Sequence, residues 1–150
     1  MALVGELAAV APVTASLHDT VSDAAVLMRD RKVGDVIVVD DEGRIAGMLT
    51  DRDVTVRVVA ERRNPEATGV GVVCTLDPVT VDSLAGVEEA EQLMREHILH
   101  RLPIVDSDRR PVGILSLEDL AVSGYIKDDE LRDVLKTIAR AYLGRSVGRP

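Results

Sequence analysis

The sequence predicts an α/β protein made of two copies of one unit, in the order strand, helix, strand, strand, helix, followed by a C-terminal helix. Three observations predict this fold class. The chain repeats itself at a fixed spacing without a gap. Within each copy, short runs of β-branched residues alternate with stretches of helical periodicity, as in α/β units. The last part of the chain carries a single apolar stripe at helical spacing.

The internal repeat relates residues 4–54 to residues 70–120. A shift of 66 positions aligns these segments over 51 positions, of which 16 are identical. Because a unit of about 50 residues buries little apolar surface alone, we expect the two copies to pack together with pseudo-twofold symmetry. The expected domains are repeat 1 at 4–64, repeat 2 at 65–124 and a helical tail at 125–150.

The first helix of each copy follows a short segment that reads PVT in both. Its apolar spacing predicts a helix over about residues 20–31 in the first copy and over the matching residues of the second. The apolar positions of the two helices are Val21, Ala24, Ala25, Leu27, Met28, Val87, Ala90, Leu93 and Met94. These residues predict the face of each helix that packs on its sheet.

Two strands and a second helix complete each copy. The runs VIVVD and LPIVD predict buried strands, and the polar segments DEGR and SDRR predict turns. A second strand, IAGMLT or PVGILS, leads into a helix predicted over DRDVTVRVVAERR or LEDLAVSGY. The segment NPEATG contains helix and strand breakers, and it links the two copies.

The C-terminal helix is predicted over DDELRDVLKTIARAYLG. Acidic residues crowd its start and basic residues lie near its end, as the helix dipole favours, and Gly144 is expected to cap it. Its apolar stripe consists of Leu131, Val134, Leu135, Ile138 and Tyr142. Two interpretations of the stripe are possible: the helix packs through it on its own module, or it contributes to a dimer interface.

Composition disfavours several classes of partner. The net charge is −8, which repels polyanions, and the chain lacks Phe and Trp, which supply base-stacking surfaces. We therefore expect no nucleic-acid partner. No run approaches the about 18 apolar residues of a membrane span, and the N-terminus lacks the basic start of a signal peptide. The expected localisation is cytoplasmic, with no membrane partner.

The residues that usually carry catalysis or bind metals form no recognisable pattern. Cys74 lies in the apolar run VGVVCTL, which favours a buried, inert thiol over a nucleophile. His18 and His97 have no partner at metal-ligand or catalytic spacing. His100 suits either a strand-edge histidine or a phosphate contact. We therefore expect no metal, no catalytic cofactor and no enzymatic activity.

One motif occurs in both copies, as GMLTDRD at 47–53 and GILSLED at 113–119. Ser/Thr-x-x-Asp at a strand-to-helix junction is the spacing of a capping box, which needs no ligand. Thr20 and Asp23 show the same spacing at another helix start. Alternatively, the amide groups of a helix N-terminus suit an anion, and the aspartate could accept hydrogen bonds from a sugar diol. Both interpretations remain open at this point.

The duplication and these motifs resemble a tandem CBS-domain pair, or Bateman module. The resemblance covers residues 4–120 and includes HRLPIVD at 100–106, which matches the middle signature of the family. It implies two CBS repeats of β-α-β-β-α order and binding of an adenosyl ligand such as AMP, ADP or ATP between them. In the family, the aspartate typically binds the ribose hydroxyls and the Ser/Thr lies near ribose or phosphate.

A closer resemblance, to the AMP-activated kinase γ subunit, implies two unequal clefts. There, a His-Arg pair in the middle strand approaches the phosphate. Carried over by position, the preferred cleft has this residue set: Asp19, Ala24, Val33, Gly34, His100, Arg101, Ser116 and Asp119. The residues of the second cleft are Thr50, Arg52, Asp53, Ala90 and Leu99, with His100 facing them.

The second cleft is expected to bind phosphate less well. Gly34 and Asp35 stand there at the His-Arg position, and a carboxylate opposes phosphate unless Arg52 compensates. Ile37 also replaces the proline of the family pattern in the first copy.

Two functions agree with these features. The first is a regulatory sensor that binds an adenosyl ligand and signals to a partner protein. The alternative is an interaction or stress-response module of the same fold that acts without a ligand. Extra apolar residues on the second helices predict a homodimer: Val54, Val56, Val58, Val59, Leu120, Ala121 and Val122. The regulated effector protein is not identified by the sequence.

Overall fold

The structure is a computed structural model that describes residues 2–8 and 11–147. The chain divides into two compact units, each containing one sheet. The repeat-1 unit is formed by Ala11–Pro78 and Ser107–Pro111, and the remaining described residues form the repeat-2 unit. These units follow spatial contacts, whereas the predicted domain boundaries follow the sequence repeat. Those boundaries stay a prediction.

The repeat-1 unit contains a mixed sheet in the order β1-β2-β3-β4. Its strands are β1 (Thr14–Ser16), β2 (Asp35–Val39), β3 (Ile45–Thr50) and β4 (Thr75–Leu76). Strands β1 and β2 are parallel, as expected for strands joined through helix α2 (Val21–Arg31), whereas β2, β3 and β4 pair antiparallel. Asp35 lies opposite Thr50 in this sheet. The start of the middle strand is thereby placed beside the start of the next helix.

The core of the repeat-1 unit combines α2, the central strands and a short helix, α4 (Val70–Val73). Val21, Ala24 and Met28 of α2 are buried as predicted. Ala25 was predicted on the same face but is exposed. One residue advances a helix by about 100°, so Ala25 turns away from the core that Ala24 contacts.

The second helix of repeat 1 is less regular than predicted. It begins as α3 (Asp51–Val54) and continues as a π-helical turn over Thr55–Val59. The Ala60 N–H donates to the Thr55 carbonyl and the Arg63 N–H to the Val58 carbonyl, both at 2.9 Å. β-branched side chains crowd the i+3 and i+4 positions of an α-helix, and the wider turn relieves that crowding in TVRVV.

The repeat-2 unit contains a sheet in the order β5-β6-β7. The elements of this part of the chain are β5 (Val81–Asp82), α5 (Val87–His97), β6 (Arg101–Val105), β7 (Pro111–Ser116) and α6 (Leu117–Ser123). Strands β5 and β6 are parallel, with Val81 opposite Ile104. The predicted order of strands and helices is confirmed in both repeats.

Two short helices were not predicted, α1 (Val4–Leu7) and α4 at the equivalent position of repeat 2. Helix α1 joins the repeat-2 unit, where the Val4 N–H donates to the Ala85 carbonyl and the Gly5 N–H to the Ser83 carbonyl, both at 2.9 Å. Four-residue helices are too short to show a helical period in the sequence.

The C-terminal helix, α7 (Asp128–Val147), folds back on its own repeat and packs against α5 and α6. Val134 and Ile138 are fully buried in the core of this unit. The prediction that Gly144 caps the helix is wrong, because the helix continues to Val147. A glycine inside a helix costs only about 1 kcal/mol relative to alanine, which the preceding helical turns outweigh.

Candidate ligand-binding half-sites

Both copies of the repeated motif form capping boxes at a helix start. In repeat 1, the Asp53 N–H donates to Thr50 Oγ1 at 3.1 Å and the Thr50 N–H donates to Asp53 Oδ2 at 3.0 Å. In repeat 2, the same bonds join Ser116 and Asp119 at 3.0 and 2.8 Å. A third capping box starts α2. Local structure therefore explains the hydroxyl and aspartate residue types, and ligand binding requires further evidence.

The helix termini give little support to the anion site suggested by the sequence. Helix α6 has only seven residues, and helix α3 leaves the α-helical geometry after Val54, so neither presents a long run of aligned peptide dipoles. In each first turn, one amide group already donates to the capping hydroxyl. Side chains are therefore the main candidates for phosphate contacts at these sites.

The glycine of each motif is required by close packing. A Cβ atom at Gly47 would lie 2.8 Å from both Cys74 Sγ and the Thr75 carbonyl oxygen. A Cβ atom at Gly113 would lie 2.7 Å from the Cβ of Ala8. Ala8 and Cys74 occupy equivalent positions of the two repeats, so the same device occurs twice. The glycines belong to the fold rather than to a phosphate-binding loop.

The second carboxylate oxygen of the motif aspartate distinguishes the two repeats. Asp53 Oδ1 lies 3.4 Å from Arg57 Nη2, one turn later in the chain. The equivalent residue of repeat 2 is Ser123, whose hydroxyl donates to the Leu120 carbonyl at 2.8 Å. Within the described part of the chain, Asp119 Oδ1 has no hydrogen bond or ion pair. Asp119 is exposed, so this oxygen can accept hydrogen bonds from a ligand.

One backbone hydrogen bond ties the middle strand to the next helix in each repeat. The Asp51 N–H donates to the Gly34 carbonyl at 2.9 Å, and the Leu117 N–H donates to the His100 carbonyl at 3.0 Å. A Cβ atom at Gly34 would lie 3.1 Å from Asp51 Oδ2. The Asp51 carboxylate therefore lies close to the position in repeat 1 that is equivalent to the Cβ of His100 in repeat 2.

The charges at these equivalent positions are opposite. Repeat 1 has Gly34 and Asp35 at the start of its middle strand, with the Asp51 carboxylate beside Gly34. Repeat 2 has His100 and Arg101 at the start of its middle strand, both exposed. Imidazole and guanidinium N–H groups donate to phosphate, whereas carboxylates repel it. This difference favours the repeat-2 half-site for an anionic ligand.

The polar residues predicted from repeat 1 have local roles. Asp19 Oδ2 accepts a hydrogen bond from the Ser16 N–H at 2.9 Å, which shapes the turn after β1. The backbone N–H of Arg52 donates to Asp51 Oδ1 at 2.8 Å, and its side chain is exposed. Ligand contacts by Asp19 and Arg52 stay predictions.

The apolar residues that were predicted to contact the ligand are buried or partly buried. Ala24 and Ala90 have no exposed surface and belong to the cores of their own units. Val33 and Leu99, which follow the first helix of each repeat, are partly buried. The ligand contacts predicted for the two alanines stay predictions.

The remaining candidate residues have structural environments. Cys74 is a buried free cysteine, and burial raises the pKa of its thiol, which favours the inert form. The exposed His18 pairs with Asp41 at 3.0 Å. Among the described residues, no three His, Cys, Asp or Glu side chains are grouped as metal ligands. No helix in that part of the chain has the length and apolarity to cross a membrane.

Two residues that contact the half-sites were not predicted from the sequence. Arg57 follows Asp53 by four residues, a spacing typical of helical ion pairs, so the sequence did contain a signal for this contact. Tyr142 lies with its ring centroid 5.7 Å from that of His100, at an interplanar angle of 49°. These two residues are far apart in the chain, and the sequence contained no local signal for their contact.

Two known proteins resemble most of the chain. The CBS domain-containing protein YhcV of Bacillus subtilis is 42% identical over 110 residues, which are 73% of this chain and 76% of YhcV. Hypoxic response protein 1 of Mycobacterium tuberculosis is 34% identical over 104 residues, which are 69% of this chain and 72% of that protein.

A solved structure of similar fold is the CBS domain protein PAE2072 of Pyrobaculum aerophilum, complexed with AMP. It has a TM-score of 0.73 at 23% identity and covers 90% of this chain and 99% of its own. At this identity the likeness concerns the fold alone.

The CBS domain family matches the chain twice, at residues 4–60 and 70–123. These two matches correspond to the two copies of the internal repeat. Each copy has the strand, helix, strand, strand, helix order that the resemblance implied. The chain therefore belongs to the CBS-domain family, as a tandem pair of CBS domains.

Proposed function

We propose that this CBS-domain pair is a regulatory module that binds an adenosyl ligand, mainly through His100, Arg101, Ser116 and Asp119. One observation carries the proposal: Asp119 Oδ1 has no partner within the described residues, whereas its counterpart on Asp53 pairs with an arginine. The carboxylate oxygen accepts hydrogen bonds from ribose hydroxyls. The histidine and arginine donate to a phosphate group.

The proposed ligands are AMP, ADP, ATP or another adenosyl compound. The AMP complex of the Pyrobaculum aerophilum protein, which has the same fold, supports this class. The ligand contacts that the family resemblance implies for Asp19, Ala24, Val33 and Gly34 of repeat 1 stay predictions. A second, weaker half-site is proposed at Thr50, Arg52 and Asp53, and the contacts implied for Ala90 and Leu99 stay predictions. Asp35 stands there at the position that Arg101 has in repeat 2, and a carboxylate disfavours phosphate.

Calorimetric titration with AMP tests the proposal. The variant Asp119→Asn retains an oxygen that can accept the capping hydrogen bond but removes the negative charge offered to the ribose. Hydrogen bonds to a charged group contribute about 1.5–3 kcal/mol. We therefore expect Asp119→Asn to weaken AMP binding by about 10-fold to 150-fold.

The matched control is Asp23→Asn, which alters the same type of capping box at the start of α2. Both variants perturb a helix cap, but only Asp119 belongs to the preferred half-site. We expect Asp23→Asn to bind AMP as the wild type does. Equal affinity of Asp119→Asn and the wild type would contradict the proposed role of Asp119. A wild-type protein that binds no adenosyl compound would contradict the function.

A ligand-independent interaction or stress-response module is the second candidate. Its support is that the capping boxes account for the motif residues without a ligand. The relative named Hypoxic response protein 1 suggests a stress-related context. A panel of AMP, ADP, ATP, S-adenosylmethionine and NAD that leaves the melting temperature unchanged would favour this candidate.

We further propose that the module has no catalytic activity of its own and passes its signal to a separate effector protein. A homodimer is proposed because several apolar side chains are exposed, among them Val122 at 88%. The cytoplasmic localisation stays a prediction.

A further inference from the structure

The aromatic ring of Tyr142 contacts the imidazole ring of His100 within the repeat-2 unit. Their ring centroids are 5.7 Å apart and the ring planes are inclined by 49°. This separation lies within the range of about 4.5–7 Å that is typical of interacting rings. Both residues are at the surface. Tyr142, on the C-terminal helix, is thus a direct neighbour of a residue in the proposed ligand site.

The packing of α7 determines where Tyr142 lies. Val134 and Ile138 anchor the helix because both are fully buried in the repeat-2 core. Tyr142 follows Ile138 by four residues and therefore lies on the same face of the helix. The buried stripe of α7 continues past the core and ends at the surface beside His100. The contact is therefore made from a helix that the core anchors one turn earlier.

His100 is fixed through its backbone and through this ring contact. Its carbonyl accepts a hydrogen bond from the Leu117 N–H at 3.0 Å, which ties the residue to the start of α6. Within the described part of the chain, the His100 side chain has no hydrogen bond or ion pair. Contact with Tyr142 therefore restricts the orientation of the imidazole. Ordering a freely rotating side chain on binding reduces affinity.

We propose that Tyr142 is a positioning residue for His100, so that the C-terminal helix forms part of the ligand site of repeat 2. This inference rests on the proposed function, in which His100 donates to the phosphate of an adenosyl ligand. Tyr142 holds the imidazole in place before the ligand arrives. By linkage, a ligand that binds His100 strengthens the docking of α7 by the same factor by which α7 strengthens ligand binding.

Calorimetric titrations with AMP and adenosine test this inference, because only AMP carries a phosphate. We expect Tyr142→Ala to weaken AMP binding by about threefold to tenfold and to change adenosine binding by less than about twofold. Tyr142→Phe retains the ring and is expected to bind AMP as the wild type does. The matched control is Tyr125→Ala, which removes the other tyrosine of the chain and should leave both affinities unchanged.

Three results would overturn the inference while the proposed function stands. The first is equal AMP affinity of the wild type and Tyr142→Ala. The second is an equal loss of AMP and adenosine binding in that variant, which would indicate a purely structural role. The third is a loss in Tyr142→Phe as large as that in Tyr142→Ala. A wild-type protein that binds neither compound would instead overturn the proposed function, and the inference with it.

A second measurement leaves Tyr142 and the C-terminal helix intact. Incorporating 3-fluorotyrosine into the variant Tyr125→Phe leaves one fluorine signal, from position 142. We expect His100→Ala to shift this signal in the absence of ligand, and saturating AMP to shift it in the protein that retains His100. A signal that moves in neither case would overturn the inference.

Discussion

The guanidinium of Arg57 lies 3.4 Å from Asp53 Oδ1 and donates a 2.8 Å hydrogen bond to the Val73 carbonyl. It also donates to Thr75 Oγ1 at 3.1 Å. One side chain thus pairs with the repeat-1 aspartate and joins the π-helical turn to α4 and β4. Repeat 2 has Ser123 at the equivalent position, which leaves the two half-sites chemically unequal.

Arg57→Met is expected to destabilise the fold. It keeps much of the aliphatic stem but leaves the Val73 carbonyl without its arginine donor. A lost hydrogen bond to a partly buried group costs about 1–2 kcal/mol, and we expect the free energy of unfolding to fall by that amount in urea denaturation. The control Arg52→Met changes a nearby exposed arginine and should have little effect. Equal stability of the two variants would contradict the structural role of Arg57.

Gly47→Ala is expected to destabilise the protein because the new methyl group would lie 2.8 Å from the Thr75 carbonyl oxygen. That atom belongs to the backbone and cannot rotate away, so the sheet must shift. Overpacking of this kind typically costs about 1–3 kcal/mol. In Gly69→Ala, the control, the new methyl group would lie 3.9 Å from the Leu17 carbonyl oxygen, an ordinary contact distance. Thermal unfolding should therefore separate the two variants, and matching melting temperatures would refute the packing explanation.

The stability of the repeat-2 unit should depend on the ionisation of Glu91. Burial raises the pKa of this carboxyl, Arg95 lowers it, and the charges of Glu130 and Glu88 raise it further. Because the folded pKa lies above the unfolded value of about 4.3, the folded protein binds this proton more tightly. Protonated Glu91 therefore stabilises the fold fully at pH values below its unfolded pKa. This stabilisation is lost as the pH rises through the raised folded pKa.

Glu91→Gln removes this titration. The stability of this variant relative to the wild type should therefore increase as the pH rises from the unfolded pKa of Glu91 through its raised folded pKa. Urea denaturation at several pH values above about 4 measures the difference. Glu96→Gln, on the same helix, is the control; its carboxylate is exposed and accepts a hydrogen bond from Gln92. A pH-independent difference between Glu91→Gln and the wild type would contradict the raised pKa.

Ile138→Ala is expected to lower the free energy of unfolding by about 2–5 kcal/mol, because it leaves a cavity in a fully buried position. Leu135→Ala truncates a residue of the same helix that is 45% exposed, and it should cost much less. Chemical denaturation of both variants checks this order. Similar losses in the two variants would mean that α7 does not dock on its own repeat in solution.

The protein is expected to form a homodimer at micromolar concentration. Light scattering should then give a mass of about twice the 16.2 kDa of one chain. Val122→Lys places a charge at an apolar side chain that is 88% exposed and should shift the mass toward that of one chain. A wild-type mass near 16.2 kDa would refute the dimer.

Local features of this protein could be predicted from its sequence. The duplication and the order of strands and helices follow from apolar spacing and from the repeat itself. The capping boxes follow from a three-residue spacing, as Thr50 and Asp53 show, because these positions meet at the start of a helix whatever lies around it. The family and the candidate motif residues were therefore identified without tertiary information.

Only the tertiary structure decided which atoms of the motif residues are available to a ligand and why the motif requires glycine. Gly47 must be glycine because Cys74 and Thr75 pass close to it. Asp119 Oδ1 is available to a ligand because no described side chain pairs with it. The ring of Tyr142 meets His100 because the buried stripe of α7 fixes the helix on the core. Such contacts depend on where segments distant in the chain pack, and packing between distant segments leaves no period or spacing in the sequence.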